Sequence, residues 1–141
     1  MIALAGDHGG FLLKEEIKKY LDELKFDYKD FGSATGESCD YPVVSKPAIQ
    51  AVATGVCEKG ILFCGTGVGM SITANKTRGI RCVVCSEPFS AALSREHNNT
   101  NMLALGGRVI GVDLAKMIVK IWLTTEFSNV DRHIKRVSLI E

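Results

Sequence analysis

Short apolar runs alternate with amphipathic segments along the whole chain, and this alternation predicts a repeating strand and helix order. Met1 to Gly6 reads as a strand. After the polar turn Gly6-Asp7-His8-Gly9-Gly10, a helix runs to about Lys25, with Leu13, Ile17, Tyr20, Leu21 and Leu24 on one face. Phe26 to Gly32 alternates as a second strand, and Ser33 to Asp40 is a polar loop. Pro42 suits the first turn of a helix over Val43 to Cys57, and Pro47 can shift its start. Ile61 to Phe63 reads as a buried third strand, with a helix over Val68 to about Lys76. Ile80 to Cys85 and Asn101 to Leu105 complete the strands. Helices follow over Glu87 to about His97 and Gly111 to Thr125, and a last charged helix starts at an Asn129 cap. No internal repeat or low-complexity linker interrupts the series. The expectation is one α/β domain over residues 1–141, a Rossmann-like three-layer α/β/α sandwich with a five-stranded parallel sheet.

In such a sheet, ligands bind at the carboxyl ends of the strands. Four turns belong there: Asp7-His8, Cys64 to Gly69, Ser86-Glu87 and Gly106-Gly107-Arg108. They are expected to share one rim. The second is the most informative. Gly65, Gly67 and Gly69 alternate between a strand and a helix, where a backbone can turn sharply and present its N–H groups to an anion. Cys64 stands at the strand tip, where the positive helix end favours a thiolate. The bland alternative is a tight structural corner with a cysteine acting as a small buried hydrophobe. The spacing is neither the GxGxxG dinucleotide fingerprint nor a P-loop.

Composition narrows the function classes. Lys plus Arg is 17 against 16 for Asp plus Glu, a formal net charge of +1, so no global field recruits nucleic acid or an anionic membrane. No apolar run approaches the ~18 residues of a membrane span, and the amino terminus lacks a signal-peptide pattern, so a cytoplasmic location is expected. The five cysteines point to reduced thiols. Cys82 and Cys85 form a CxxC inside a β-branched run, where residues three apart face opposite sides of a sheet. That argues against a redox or metal pair.

Each histidine and cation has two readings. His8 lies in a Gly-flanked turn at the rim and favours a cleft. His97 sits at a polar helix end, where the dipole alone could account for it, and His133 lies between Arg132 and Arg136 in a pattern that reads as solvated. Asp7 can cap the first helix, act in acid–base chemistry, or both. Arg132 and Arg136, four apart, could grip a phosphate together or form a solvated face. Arg108 is a third candidate phosphate ligand.

Six motifs in order, Asp7-His8-Gly9-Gly10, Asp40-Tyr41-Pro42, Cys64 to Ser71, Cys85-Ser86-Glu87-Pro88, His97 to Asn101, and the Arg132 and Arg136 pair, closely resemble type B ribose-5-phosphate isomerase. That family also includes allose-6-phosphate and galactose-6-phosphate isomerases. The resemblance implies reversible aldose–ketose conversion of a small phosphorylated sugar, without metal or organic cofactor. By the same resemblance Cys64 is the base, and the backbone of Gly65, Gly67, Val68, Gly69, Met70 and Ser71 holds the enediolate. His97 opens the sugar ring and Asp7 helps to hold the ring hydroxyls. Thr66 supports proton transfer between the oxygens. His8, Arg108, Arg132 and Arg136 bind phosphate, Asn98 contacts substrate, and Tyr41 lines the pocket. One branch of the family places a carboxylate just beyond the glycine turn instead of the cysteine; here that position is Met70. The resemblance further implies a homodimer with shared active sites, His97, Asn98, Arg108 and the last-helix arginines coming from the partner, and tetramers occur among relatives. A hexose-phosphate isomerase and a non-catalytic phosphate or nucleotide module remain the alternatives.

Overall fold

The computed structural model describes residues 1–141. Five strands form one sheet: β1 (Ile2–Gly6), β2 (Tyr28–Asp30), β3 (Lys59–Cys64), β4 (Cys82–Val84) and β5 (Met102–Gly106). All are parallel, in the order β2-β1-β3-β5-β4. Seven helices connect and follow them: α1 (Phe11–Glu23), α2 (Tyr41–Val44), α3 (Lys46–Ala53), α4 (Val68–Asn75), α5 (Pro88–Asn98), α6 (Val112–Thr124) and α7 (Asp131–Ser138). Right-handed crossovers dictate which face each helix covers. Connections toward β4 carry α3 and α4 across one face, and those toward β2 carry α1 and α5 across the other. The predicted three-layer sandwich is therefore present.

The two faces have separate cores because strand side chains alternate. Ile2, Leu4, Ile61, Phe63, Leu103 and Leu105 pack under α1, α5 and α6, around the fully buried Trp122. Ala3, Ala5, Leu62, Cys64, Met102 and Ala104 pack under α3 and α4. Cys82 joins the second core and Cys85 the first, as their spacing predicts. Burial pushes both thiols up, to about 12 and about 11, so they sit as inert hydrophobes.

Three sequence expectations change. The helix expected over Val43 to Cys57 is two pieces, because Ser45 ends α2, donating from Oγ to the Tyr41 carbonyl at 2.7 Å, and Pro47 stands in the first turn of α3. The last helix is capped at Val130 rather than Asn129, which instead takes a left-handed φ of 55°. Asp7 does not cap α1, whose N-cap is Gly10; its Oδ1 accepts the Gly9 and Gly10 amides at 2.8 and 3.1 Å and so fixes the turn before the helix.

Candidate active site

Strand register sets the site. Gly6 pairs with Phe63 and Cys64 with Gly106, so the chains leaving β1, β3 and β5 emerge side by side. Gly107 donates to the Cys64 carbonyl at 2.8 Å and Arg108 to that of Gly65 at 2.9 Å, which locks the turns together. Such closeness leaves no room for side chains. A Cβ on Gly10 would fall 2.3 Å from the Phe63 carbonyl carbon, and one on Gly107 would fall 2.5 Å from the Gly9 oxygen.

Between these turns lies an open cleft of about 390 Å³, lined by Asp7, Tyr41, Cys64, Thr66, Gly69 and Arg108 among others. Cys64 is 5% exposed, and its Sγ accepts the Gly67 N–H at 3.0 Å. Gly67 can deliver that hydrogen because it adopts φ 82°, a conformation that side chains disfavour. The Val68 amide donates to Thr66 Oγ1 at 3.3 Å, and the Ser71 amide to the Gly67 carbonyl. Those of Thr66, Gly69 and Met70 take no acceptor from the chain. Thr66 and Gly69 line the cleft, so two N–H groups at the positive end of α4 stand open beside the sulfur. Met70 and Ser71, expected to offer backbone to the enediolate, do not line the cleft: Met70 is fully buried in the core, and the Ser71 amide is spent on the Gly67 carbonyl. Tyr41 lies over Gly69, where a Cβ would meet its ring at 2.7 Å. His8 is exposed at the rim, its Nδ1 accepting the Cys39 amide at 3.3 Å.

The remaining candidates occupy the other end of the sheet. A helix returning antiparallel to the strands ends at their amino edge, and α5 therefore carries His97 and Asn98 to the start of β5. Asn101 donates there to the Arg81 carbonyl just ahead of β4. At ~3.3 Å per residue, β5 puts about 16 Å between this edge and Arg108's turn. The helix α7 packs against α5 at the same edge through a ring contact between His97 and His133, with centroids 4.3 Å apart. Arg132 and Arg136 project from it, exposed and without a carboxylate partner. Within one chain, then, Asp7, Tyr41, Cys64, Thr66 and Arg108 line one cleft, His8 follows Asp7 outside that lining, and His97, Asn98, Arg132 and Arg136 do not reach it.

Several details differ from the sequence reading. Arg108, expected from a partner subunit, approaches its own chain's Gly65, with Nη1 3.2 Å from where a Cβ would stand. His133 is 6% exposed rather than solvated, and its Nδ1 is 2.6 Å from Ser128 Oγ. Burial, then the charges of His97, Arg132 and Arg136, hold its imidazole below the ordinary histidine range. Glu87 does not join the cleft; its carboxylate accepts the Ser90 amide at 3.0 Å and caps α5. Ile72, which lines the cleft one turn beyond Val68, was not anticipated; its i+4 spacing from Val68 was the available signal. The chain gathers no three His, Cys, Asp or Glu side chains that could hold a metal.

The family model described as Ribose/Galactose Isomerase matches residues 2–140. Ribose-5-phosphate isomerase B of Escherichia coli is 52% identical over 139 residues, 99% of this chain and 93% of that protein. A D-erythrulose-4-phosphate isomerase of Pectobacterium atrosepticum is 42% identical over 127 residues, 89% and 84% of the two chains. The solved ribose-5-phosphate isomerase B of Clostridium thermocellum superposes with a TM-score of 0.96 at 48% identity, covering 99% of this chain and 93% of that one.

Proposed function

The chain belongs to the Ribose/Galactose Isomerase family, and we propose from that premise that it interconverts ribose 5-phosphate and ribulose 5-phosphate at the cleft around Cys64. One observation carries the reading: a sulfur fixed by the Gly67 amide stands beside the open N–H groups of Thr66 and Gly69 at a helix start. An aldose–ketose isomerase needs that combination. Cys64 as thiolate takes the proton from C2 of the open-chain aldose, and the C2–H electrons form the C1–C2 double bond. The former carbonyl oxygen becomes the enediolate oxyanion. Amides of Thr66 and Gly69 hold that charge; losing one such donor typically costs about 3 to 4 kcal/mol. Cys64 then returns the proton to C1, while Thr66 relays the proton between the two oxygens. Asp7, its Oδ1 held by two amides, grips the ring hydroxyls.

Ring opening and phosphate binding require the second cluster. His97 is the acid–base group for the ring, Asn98 contacts the sugar, and Arg132 and Arg136 join His8 and Arg108 on the phosphate. Because β5 separates the clusters within one chain, the complete site takes its second half from another copy, in a homodimer. Support comes from the apolar ridge of Val43, Val68 and Ile72, exposed beside the cleft on α2 and α4. The five free cysteines fit a reducing cytoplasm, and no helix is long and apolar enough to cross a membrane.

The test compares kcat/KM for ribose 5-phosphate, erythrulose 4-phosphate and allose 6-phosphate. The pentose is expected to be preferred by roughly tenfold or more, in line with the modest discrimination that one hydroxymethylene supports. A higher value for either other sugar reassigns the substrate.

A further inference from the structure

The largest cavity of the molecule, about 540 Å³, opens at the amino ends of the strands, away from Cys64. Lys59 at the start of β3, Arg81 ahead of β4 and Arg95 of α5 converge on it. Arg95 is 5% exposed. Its Nε donates to the Thr125 carbonyl at 3.2 Å, and its Nη1 donates to Asn99 Oδ1 at 3.1 Å and to the Thr100 carbonyl. Its Nη2 has no acceptor in the chain. Lys59 is half-buried and lies over the Trp122 ring, 5.8 Å from its centroid; its sole acceptor is the Leu123 carbonyl at 3.4 Å. Neither cation forms an ion pair, although Glu58 and Glu126 also line the cavity. A buried guanidinium and a half-buried ammonium that share a cavity with no carboxylate in direct contact are costly to a fold. Burial lowers the pKa of both groups and Arg95 further lowers that of Lys59, outweighing the opposing charges of Glu126 on both and of Glu58 on Lys59.

We propose that this cavity is a second anion site, which takes the phosphate group of a small phosphorylated metabolite between Lys59 Nζ and Arg95 Nη2. A guanidinium edge and an ammonium together match phosphate oxygens. The volume exceeds that of the carboxyl-end cleft and leaves space for an organic remainder behind the phosphate. The cavity's cations also fix the end of α5: Arg81 donates from Nε to the Asn98 carbonyl at 3.0 Å and from Nη2 to the Asn99 carbonyl at 2.8 Å. An occupant therefore bears on the segment that carries His97.

Trp122 is the chain's single tryptophan, so its fluorescence reports on this cavity. Inorganic phosphate, titrated at constant ionic strength into the full-length protein, is expected to produce a saturable change. Lys59→Met should weaken the apparent affinity by about tenfold or more, the loss of one charge-assisted contact, and Lys59→Arg should retain it. The double variant Arg108→Ala, Arg136→Ala, disabled at the proposed substrate phosphate site, should titrate as the wild type does. Should Lys59→Met fail to fold, Lys59→Gln is placed in the Arg108→Ala, Arg136→Ala background, where the rise in Tm that phosphate induces should be lost while the parent double variant keeps it. The proposal is overturned by a flat titration, by one unaltered in the Lys59 variants, or by one abolished in the double variant.

Discussion

Cys64 shows how much a single position depends on its neighbours. A cysteine at a strand end is ordinary; this one is held by the amide of a left-handed glycine, with open N–H groups beside it. Cys64→Ala is expected to lower kcat by at least about 10³-fold, the share commonly attributed to a positioned base, while substrate still binds in calorimetry. A near-normal kcat would remove Cys64 as the base. His133 makes the opposite point, because a histidine between two arginines looks solvated and proves to be buried against His97. Its folded pKa lies below the unfolded value, so the unfolded chain binds more protons as pH falls through the ordinary histidine range. Stability is complete above that range and declines on acidification. Melting temperature is therefore expected to fall from pH 7 to about pH 5.5. A smaller fall is expected in His133→Asn, and identical profiles would refute the assignment.

At the scale of elements, hydrophobic period predicts all five strands and the right helices, since apolar runs and 3.6-residue stripes are local properties. Boundaries shift where one side chain decides them, as Ser45 does between α2 and α3. Depth is what the motifs leave out. Asp7 and Cys64 stand at strand ends and His97 at a helix end, and it is the parallel topology that sends a helix end to the opposite sheet edge. The buried Lys14 was equally hidden, since its place on the helix reads as part of the charged side. It is fully buried in α1, and its Nζ donates to both Asp30 oxygens at 2.7 and 2.9 Å and to the Ser33 carbonyl at 2.7 Å. Burial pushes the Asp30 carboxyl up, but Lys14, the Gly32 amide and Lys18 outweigh it and hold it below the ordinary range. The pair joins α1 to the end of β2, where the loop toward Tyr41 departs. Lys14→Met is expected to destabilise the fold by about 2 kcal/mol, less than a fully buried pair because Asp30 keeps Lys18 and some solvent. Urea unfolding measures it, and an unchanged midpoint would show the pair to be dispensable.

For the whole molecule, the decisive property is that its two candidate clusters sit at opposite ends of one sheet. Mixing chains that carry Cys64→Ala with chains that carry His97→Asn is expected to restore activity to two inactive preparations. Random pairing makes half of the dimers mixed, and each mixed dimer rebuilds one intact site, so recovery approaches about a quarter of the wild-type rate. No recovery would place the site within one chain. The ledge where Gly107 meets Gly9, too narrow for any side chain, holds the turns around Cys64 in place within one chain. In the proposed homodimer turnover becomes a property of encounter: as the protein is diluted past its dissociation constant, the rate per chain should fade while every fold stays intact.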